Sequence, residues 1–161
     1  MAFPRHRGHL QFIAAVTFSR KTPATCNAQR TPVWDSASMA LRVVLVDDSR
    51  TFLAAASRLL AAEGLEVVGT ASTGLDAFNA CSALLPDVVL VDIMLGSESG
   101  IDLARRLAEE LPGGGPRVIL VSTHSEEDFV DLIQASPAVG FVPKTGLSAG
   151  AIRRVLASDP A

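Results

Sequence analysis

The stretch that decides the fold is Val88-Val89-Leu90-Val91-Asp92, in which four apolar residues run without alternation into one carboxylate. Nearly the same four residues recur at 43–46 (Val-Val-Leu-Val) and at 118–121 (Val-Ile-Leu-Val). An unbroken run rich in β-branched residues is typical of a parallel strand that is covered on both faces. The three runs therefore predict the central strands of one buried sheet.

Between these runs, apolar residues recur at helical spacing and predict amphipathic helices, the first with a stripe of Phe52, Ala56, Leu59 and Leu60. Weaker second and fifth strands are predicted at 65–68 and 138–142. Gly64 is expected to end the first helix, and Ser99 with Asp102 predicts a capping box at the start of the third. Five strand–helix units with short links predict an α/β fold with an open, doubly wound, five-stranded parallel sheet.

Polar residues follow the predicted strands at the end where such sheets bind ligands. They are the pair Asp47-Asp48 after the first strand, Asp92 after the third, Ser122 after the fourth and Lys144 after the fifth. Chains commonly turn polar at strand ends, and an Asp there can cap a helix, which accounts for any one of these residues alone. That reading does not account for three carboxylates, a hydroxyl and an amine at one edge.

The chemistry of this set follows from its charge. Neighbouring carboxylates repel by about 4 kcal/mol per close pair at a surface-like dielectric, so such a cluster holds protons or a cation. Hard oxygen ligands at an open edge suit Mg²⁺. A carboxylate beside that ion can attack a phosphoryl group, which makes Asp92 the candidate nucleophile. Lys144 and Ser122 would supply positive charge and a hydrogen-bond donor to the transferring oxygens.

Composition argues against a DNA-binding protein and against a membrane protein. Residues 39–161 carry nine basic and sixteen acidic residues, so direct DNA binding is not expected. No apolar run approaches the roughly 18 residues that span a bilayer, so no membrane segment is predicted. Cys26 and Cys81, 55 residues apart, are interpreted as reduced thiols of a cytoplasmic protein.

The first 38 residues differ from the rest of the chain. Residues 1–34 hold five basic residues and no acid, show no sustained period and are interrupted by three prolines, while Met39 directly precedes the first predicted strand. Residues 1–38 are therefore interpreted as a disordered or spurious N-terminal extension, and 39–161 as the functional domain.

Four motifs together resemble the receiver domain of two-component response regulators over about 41–156. They are Asp47-Asp48, Val-Asp92-Ile-Met-Leu-Gly, Val-Ser122-Thr and Gly-Phe-Val-Pro-Lys144, spaced 44, 30 and 22 residues apart from Asp48 onward. The resemblance, to the stand-alone single-domain type, implies a flavodoxin-like sheet of order 2-1-3-4-5 and a role as a phosphorelay switch, not as an enzyme on other substrates.

The resemblance also implies a role for each site residue. Asp92 would accept the phosphoryl group, and Lys144 would form a salt bridge to its oxygens. Mg²⁺ would bind the side chains of Asp48 and Asp92, the backbone carbonyl of Met94 and, mostly through water, Asp47. In the implied switch, Ser122 moves towards the phosphoryl group and Phe141 rotates inward.

Two features near Asp92 bear on how the implied site would behave. The acceptor loop 95–100, Leu-Gly-Ser-Glu-Ser-Gly, lacks the usual proline, so we expect it to move more. Met94 offers no polar group to orient an attacking water, so slow self-dephosphorylation is expected.

The expected phosphodonor is a sensor histidine kinase or a phosphotransfer protein. The remodelled surface would lie within 125–158, on helices at about 125–135 and 147–158 and the strand between them, and would bind a downstream protein or form a phosphorylation-dependent homodimer. Because the chain ends soon after the fifth predicted helix, output through a partner protein is expected.

The same residues bear on three alternative functions. A Mg²⁺-dependent phosphatase with an aspartyl-phosphate intermediate typically needs a second acid two residues after the nucleophile, where Met94 stands. A serine hydrolase elbow fails because 96–100 places Glu98 at the nucleophile position. A pseudo-receiver, a binding module that is not phosphorylated, remains a third reading.

Overall fold

The computed structural model describes residues 39–160, and the predicted extension 1–38 lies outside them. Seven strands are described: β1 (Arg42–Val46), β2 (Glu66–Ala71), β3 (Val88–Asp92), β4 (Met94–Leu95), β5 (Glu98–Ser99), β6 (Arg117–Ser122) and β7 (Gly140–Pro143). The α-helices of this part of the chain are α1 (Arg50–Ala62), α2 (Gly74–Leu84), α3 (Gly100–Glu110), α4 (Val130–Gln134) and α5 (Ala149–Ser158). Within the same range no helix combines the length and apolarity that crossing a membrane requires.

Five strands form one parallel sheet in the order β2-β1-β3-β6-β7, which confirms the predicted order 2-1-3-4-5. The three near-identical apolar runs lie side by side at its centre. Val44 pairs with Val89, and Leu90 pairs with Ile119.

Both faces of the central strands are buried, which is why their sequences do not alternate. Alternate residues of each strand belong to different apolar clusters: Val44 and Val89 pack with α2 and α3, and Val43 and Val88 pack with α1 and α5. The free thiol of Cys81 is buried in the first of these clusters, and this burial raises its pKa to about 11.

Several predicted element ends are confirmed. Gly64 follows α1 with a φ of +87°, a left-handed conformation that glycine adopts without steric cost. The Ser99 hydroxyl accepts a hydrogen bond from Asp102 N (3.3 Å), which is one half of the predicted capping box. The Asp102 carboxylate instead contacts Arg105 at 3.0 Å.

The edge strands and the last two helices differ from the predicted bounds. The second strand runs over Glu66–Ala71 instead of 65–68, and the fifth over Gly140–Pro143 instead of 138–142. The predicted helix at about 125–135 is divided into a 3₁₀ turn and the five-residue α4, because Phe129 between them adopts a ψ of 8° at a φ of −129°. The last helix begins at Ala149, since the Ser148 hydroxyl caps it by accepting from Ala151 N at 3.0 Å.

Candidate functional site

Parallel register places the acidic residues of β1 and β3 at the same edge of the sheet. Val46 pairs with Val91, so the next residue of each strand, Asp47 and Asp92, reaches the carboxyl edge together. Asp48 joins them, and one carboxylate oxygen of each of the three lies within 4.8 Å of the others. We call Asp47, Asp48 and Asp92 the acid cluster. Asp47 is fully buried and Asp92 is 6% exposed, whereas Asp48 is exposed.

Backbone amides hold the two buried carboxylates in place. Asp47 Oδ1 accepts a hydrogen bond from Ser49 N at 2.8 Å, and Asp92 Oδ1 accepts one from Met94 N at 3.2 Å. The backbone of Asp47 is in turn bonded to Ala71 O of β2 at 3.0 Å. The turn after each strand therefore sets the direction of the carboxylate.

Lys144, which follows β7, contacts two members of the acid cluster. Its Nζ lies 2.9 Å from Asp92 Oδ2 and 2.5 Å from Asp47 Oδ2. The bond to Asp92 has hydrogen-bond geometry, whereas Asp47 Oδ2 lacks a well-directed hydrogen bond and is held by charge alone. One ammonium thus faces two buried carboxylates, and with Asp48 the site carries excess negative charge.

Burial and charge shift the pKa values of this pair. Burial raises the pKa of Asp92 above its usual value, and this effect outweighs the hydrogen bond and charge of Lys144, which lower it. For Lys144, burial by itself lowers the pKa, but its close contacts with the Asp47 and Asp92 carboxylates and the charges of both raise the pKa above its usual value. The ammonium is therefore the stable form of Lys144 in the folded protein.

An aromatic ring also contacts Lys144, and the sequence analysis did not foresee it. The Nζ of Lys144 lies 4.5 Å from the centroid of the Phe52 ring, within the range of a cation–π interaction. The local pattern placed Phe52 in the apolar stripe of the first helix. Its position in the first turn of α1, four residues after Asp48, is the signal that could have pointed to the site.

The predicted switch residues lie on the neighbouring strands. Ser122 ends β6 one residue beyond Val121, the partner of Asp92, and its hydroxyl accepts a hydrogen bond from His124 N at 3.1 Å. Phe141 on β7 is 8% exposed and packs in the same apolar cluster as Ile133. The ring of Phe141 is therefore already inside the domain in the described conformation.

The acid cluster fits Mg²⁺ by the chemistry of its donors. It offers three hard carboxylate oxygens close together, one of them exposed to solvent, as Mg²⁺ requires to keep part of its water shell. Met94, the predicted backbone ligand, begins β4 directly beyond the cluster.

Part of the proline-free acceptor loop forms a short hairpin. Residues 94–95 and 98–99 pair as the antiparallel hairpin β4–β5, and Gly100 N donates to Ile93 O at 2.9 Å to close it. Gly100 is needed at this point because an added Cβ would overlap the carbonyl oxygen of Asp92. The loop is therefore packed directly against the backbone of the candidate acceptor.

Comparison with known proteins agrees with this geometry. The family model "Response regulator receiver domain" matches residues 43–155. The response regulator GacA of Pseudomonas aeruginosa is 34% identical over 123 residues, which are 74% of this chain and 56% of that protein. A protein-glutamate methylesterase/protein-glutamine glutaminase of Myxococcus xanthus is 41% identical over 88 residues, 54% of this chain and 25% of that protein.

One solved structure is matched over nearly its whole length. The signal receiver domain of the putative response regulator NarL from Mycobacterium tuberculosis superposes with a TM-score of 0.63 at 30% identity, covering 74% of this chain and 98% of that domain. The chain itself spans about half or less of the length of the two curated relatives named above. By its family match, its fold and its acid cluster, the chain belongs to the response regulator receiver domain family.

Proposed function

We propose that this receiver domain accepts a phosphoryl group on Asp92 from a sensor histidine kinase or a phosphotransfer protein. The observation that carries the proposal is the setting of the Asp92 carboxylate, which is bonded to Lys144 at 2.9 Å and shares the acid cluster with Asp47 and Asp48. A nucleophile in that setting has both a counter-charge and a group of cation ligands beside it.

In the proposed step, a carboxylate oxygen of Asp92 attacks the phosphorus of the donor. The bond from phosphorus to the leaving group breaks, and the leaving group departs with the electron pair, so that an acyl phosphate forms. Mg²⁺ bound by the acid cluster and the Met94 carbonyl would supply positive charge at the transferring oxygens. Lys144, which follows β7, and the Ser122 hydroxyl at the end of β6 would stabilise the same oxygens.

The proposed output is a change in the surface formed by 125–158. The Ser122 hydroxyl would give up the hydrogen bond that it accepts from His124 N and would donate one to a phosphoryl oxygen. Repacking of Phe141 would then transmit the change to α4 and α5. A downstream protein, or a second copy of this chain, would bind the changed surface. We expect a cytoplasmic location and no direct DNA contact, because residues 39–161 carry nine basic and sixteen acidic residues.

The lifetime of the phosphorylated state belongs to the same proposal. Met94 is 57% exposed beside the acceptor, and its side chain has no group that would orient water for attack on the acyl phosphate. We therefore expect the purified protein to lose its phosphoryl group slowly. A replacement of Met94 by Gln or Glu is expected to shorten the lifetime.

Intact-mass spectrometry tests the proposal. The protein is incubated with acetyl phosphate and Mg²⁺, in parallel with Asp92→Asn and with Asp87→Asn as a matched control elsewhere in the domain. The proposal predicts one phosphoryl adduct on the protein without substitutions and on Asp87→Asn, and none on Asp92→Asn. No adduct on any of them would favour the pseudo-receiver, and turnover of many unrelated phosphate esters would favour the phosphatase.

A further inference from the structure

The β4–β5 hairpin lies over the acid cluster. We call residues 94–99 the acceptor hairpin, in which Met94 pairs with Ser99 and Leu95 with Glu98. Gly96 at its turn has a φ of +60°, and a Cβ added there would lie 3.8 Å from Asp48 Oδ2. The turn of the hairpin is therefore in contact range of the exposed carboxylate of the cluster.

The other side of the acceptor hairpin is bonded to α2. Glu98 Oε2 accepts a hydrogen bond from the backbone N–H of Gly74, the first residue of that helix, at 3.1 Å. An N–H in the first turn of a helix has no partner within the helix, and the positive end of the helix dipole favours an anion there. The Thr73 hydroxyl satisfies a different amide of the same turn, Asp76 N, so the two caps do not compete.

Gly74 leaves the space that the Glu98 carboxylate occupies. A Cβ added at Gly74 would overlap Glu98 Oε2, while the next side chain, Leu103, would be 3.9 Å away in ordinary contact. The Glu98 carboxylate is thus the one group that an alanine at 74 would displace. The contact can therefore be broken from either side, by removing the carboxylate or by filling its place.

Glu98 is not a member of the acid cluster, whose three carboxylates are Asp47, Asp48 and Asp92. Its carboxylate accepts a hydrogen bond at the start of α2 instead. Glu98 itself lies on β5, the strand that pairs with β4, where Met94 lies. The hairpin has no proline to restrict its backbone. The hydrogen bond from Gly74 N to Glu98 attaches it to α2 instead.

From these contacts we propose that Glu98 is a positioning residue: its bond to Gly74 N holds the acceptor hairpin on α2 and thereby sets the backbone of Met94 at the acid cluster. The inference rests on the proposed function for the role of that backbone in binding Mg²⁺. The contact itself belongs to the metal-free fold and can be measured there.

The test uses the full chain with four changes: Glu98→Ala, Glu98→Gln, Gly74→Ala and the double variant Glu98→Ala/Gly74→Ala. Glu109→Ala removes the same charge from an exposed position near the end of α3 and serves as the control. Two quantities are measured by NMR, namely amide hydrogen exchange of residues 94–99 in metal-free protein and the apparent Kd for Mg²⁺.

Glu98→Ala and Gly74→Ala are each expected to speed exchange in the hairpin about fivefold and to weaken Mg²⁺ binding about threefold to tenfold. The double variant is expected to match the single ones, since both changes break one contact. Glu98→Gln keeps an acceptor oxygen and is expected to stay within about twofold of the unmodified protein, as is Glu109→Ala.

Gly74→Ala separates loss of the contact from loss of the charge, because it displaces the Glu98 carboxylate without removing it. Unchanged exchange in both Glu98→Ala and Gly74→Ala would overturn the proposal and leave the proposed function intact. Weaker Mg²⁺ binding in Glu98→Gln with unchanged exchange would also overturn it, since Glu98 would then act on the ion directly. Absence of Mg²⁺ binding by the unmodified protein would contradict the proposed function, and the exchange measurement alone would then decide the contact.

Discussion

Lys144 Nζ and Asp92 Oδ2 lie 2.9 Å apart, although 52 residues separate them in the sequence. The bond joins the ends of β3 and β7, which are separated in the sheet by β6. It places a permanent positive charge against a buried carboxylate at the edge where the acid cluster lies. Removing either charge is therefore expected to change the stability of the fold as well as the proposed phosphoryl transfer.

Asp92→Asn is expected to stabilise the metal-free protein at pH 7, because it removes a buried negative charge. Burial raises the pKa of Asp92, so the folded state binds its proton more tightly than the unfolded state, and ionisation at neutral pH opposes folding. The difference from the unmodified protein should therefore shrink as the pH falls through the folded pKa towards 3.8, the ordinary value. Urea unfolding from pH 3 to 7 measures it, with Asp131→Asn as an exposed control; lower stability of Asp92→Asn at pH 7 would contradict the assignment.

Lys144→Met is expected to destabilise the protein by about 3 kcal/mol at pH 7, because it leaves two buried carboxylates without their counter-charge. The raised pKa of Lys144 means that its contribution is fully present at neutral pH and is lost only as the pH rises above 10.5, through the folded pKa. Mg²⁺ should restore more stability to this variant than to the unmodified protein. Arg153→Met, an exposed change of the same charge, is the control in urea unfolding with and without Mg²⁺, and an equal loss in both variants would contradict the ion-pair account.

Phe52→Leu tests the aromatic contact of Lys144. Leucine keeps apolar volume but removes the ring face, so we expect a coupling of about 1 kcal/mol between positions 52 and 144 in a double-mutant cycle with Lys144→Met. Phe78→Leu is the matched control, because its ring lies under Arg106 instead, 5.3 Å from the guanidinium carbon. Equal coupling at 52 and 78 would show that the ring over Lys144 contributes packing alone.

Gly100→Ala is expected to cost about 3 kcal/mol of stability, because the new Cβ would overlap the carbonyl oxygen of Asp92 and would lie 2.9 Å from Val91 Cγ1. Gly150→Ala is the control. A Cβ there meets its neighbours at 3.8 Å within α5, so that change should be neutral or stabilising by up to about 1 kcal/mol. Chemical denaturation of both variants makes the comparison, and a Gly100→Ala protein as stable as Gly150→Ala would show that the loop is not packed as described.

The core of the sheet was predictable because its signal is local. Strands β1, β3 and β6 are buried on both faces, so each appears in the sequence as an unbroken apolar run followed by a polar residue. Strand β2 is at the edge of the sheet and partly exposed, and its true end at Ala71 extends beyond the predicted 65–68. The positions of the buried strands could therefore be predicted from their apolar runs, whereas the ends of the partly exposed edge strand could not.

The acid cluster was predictable from the same rule, since parallel strands bring their carboxyl ends together. The contacts around the cluster were not, because each joins groups that are distant in sequence. Glu98 meets Gly74 across 24 residues. Phe52 of α1 contacts Lys144, which follows β7 near the other end of the domain's sequence. Local periodicity assigned that phenylalanine to the apolar stripe of the first helix. Such pairs depend on how α1 and α2 pack, which a one-dimensional pattern does not contain.

The most direct test of the central claim is to locate the phosphoryl group on the chain. The protein is phosphorylated with acetyl phosphate and Mg²⁺, treated with borohydride, which reduces an aspartyl phosphate to homoserine, and mapped by peptide mass spectrometry. We predict homoserine at position 92 and at no other carboxylate, with loss of the signal when Mg²⁺ is chelated. Modification of Asp47 or Asp48 in place of Asp92, or no modification while the protein binds Mg²⁺, would contradict the account.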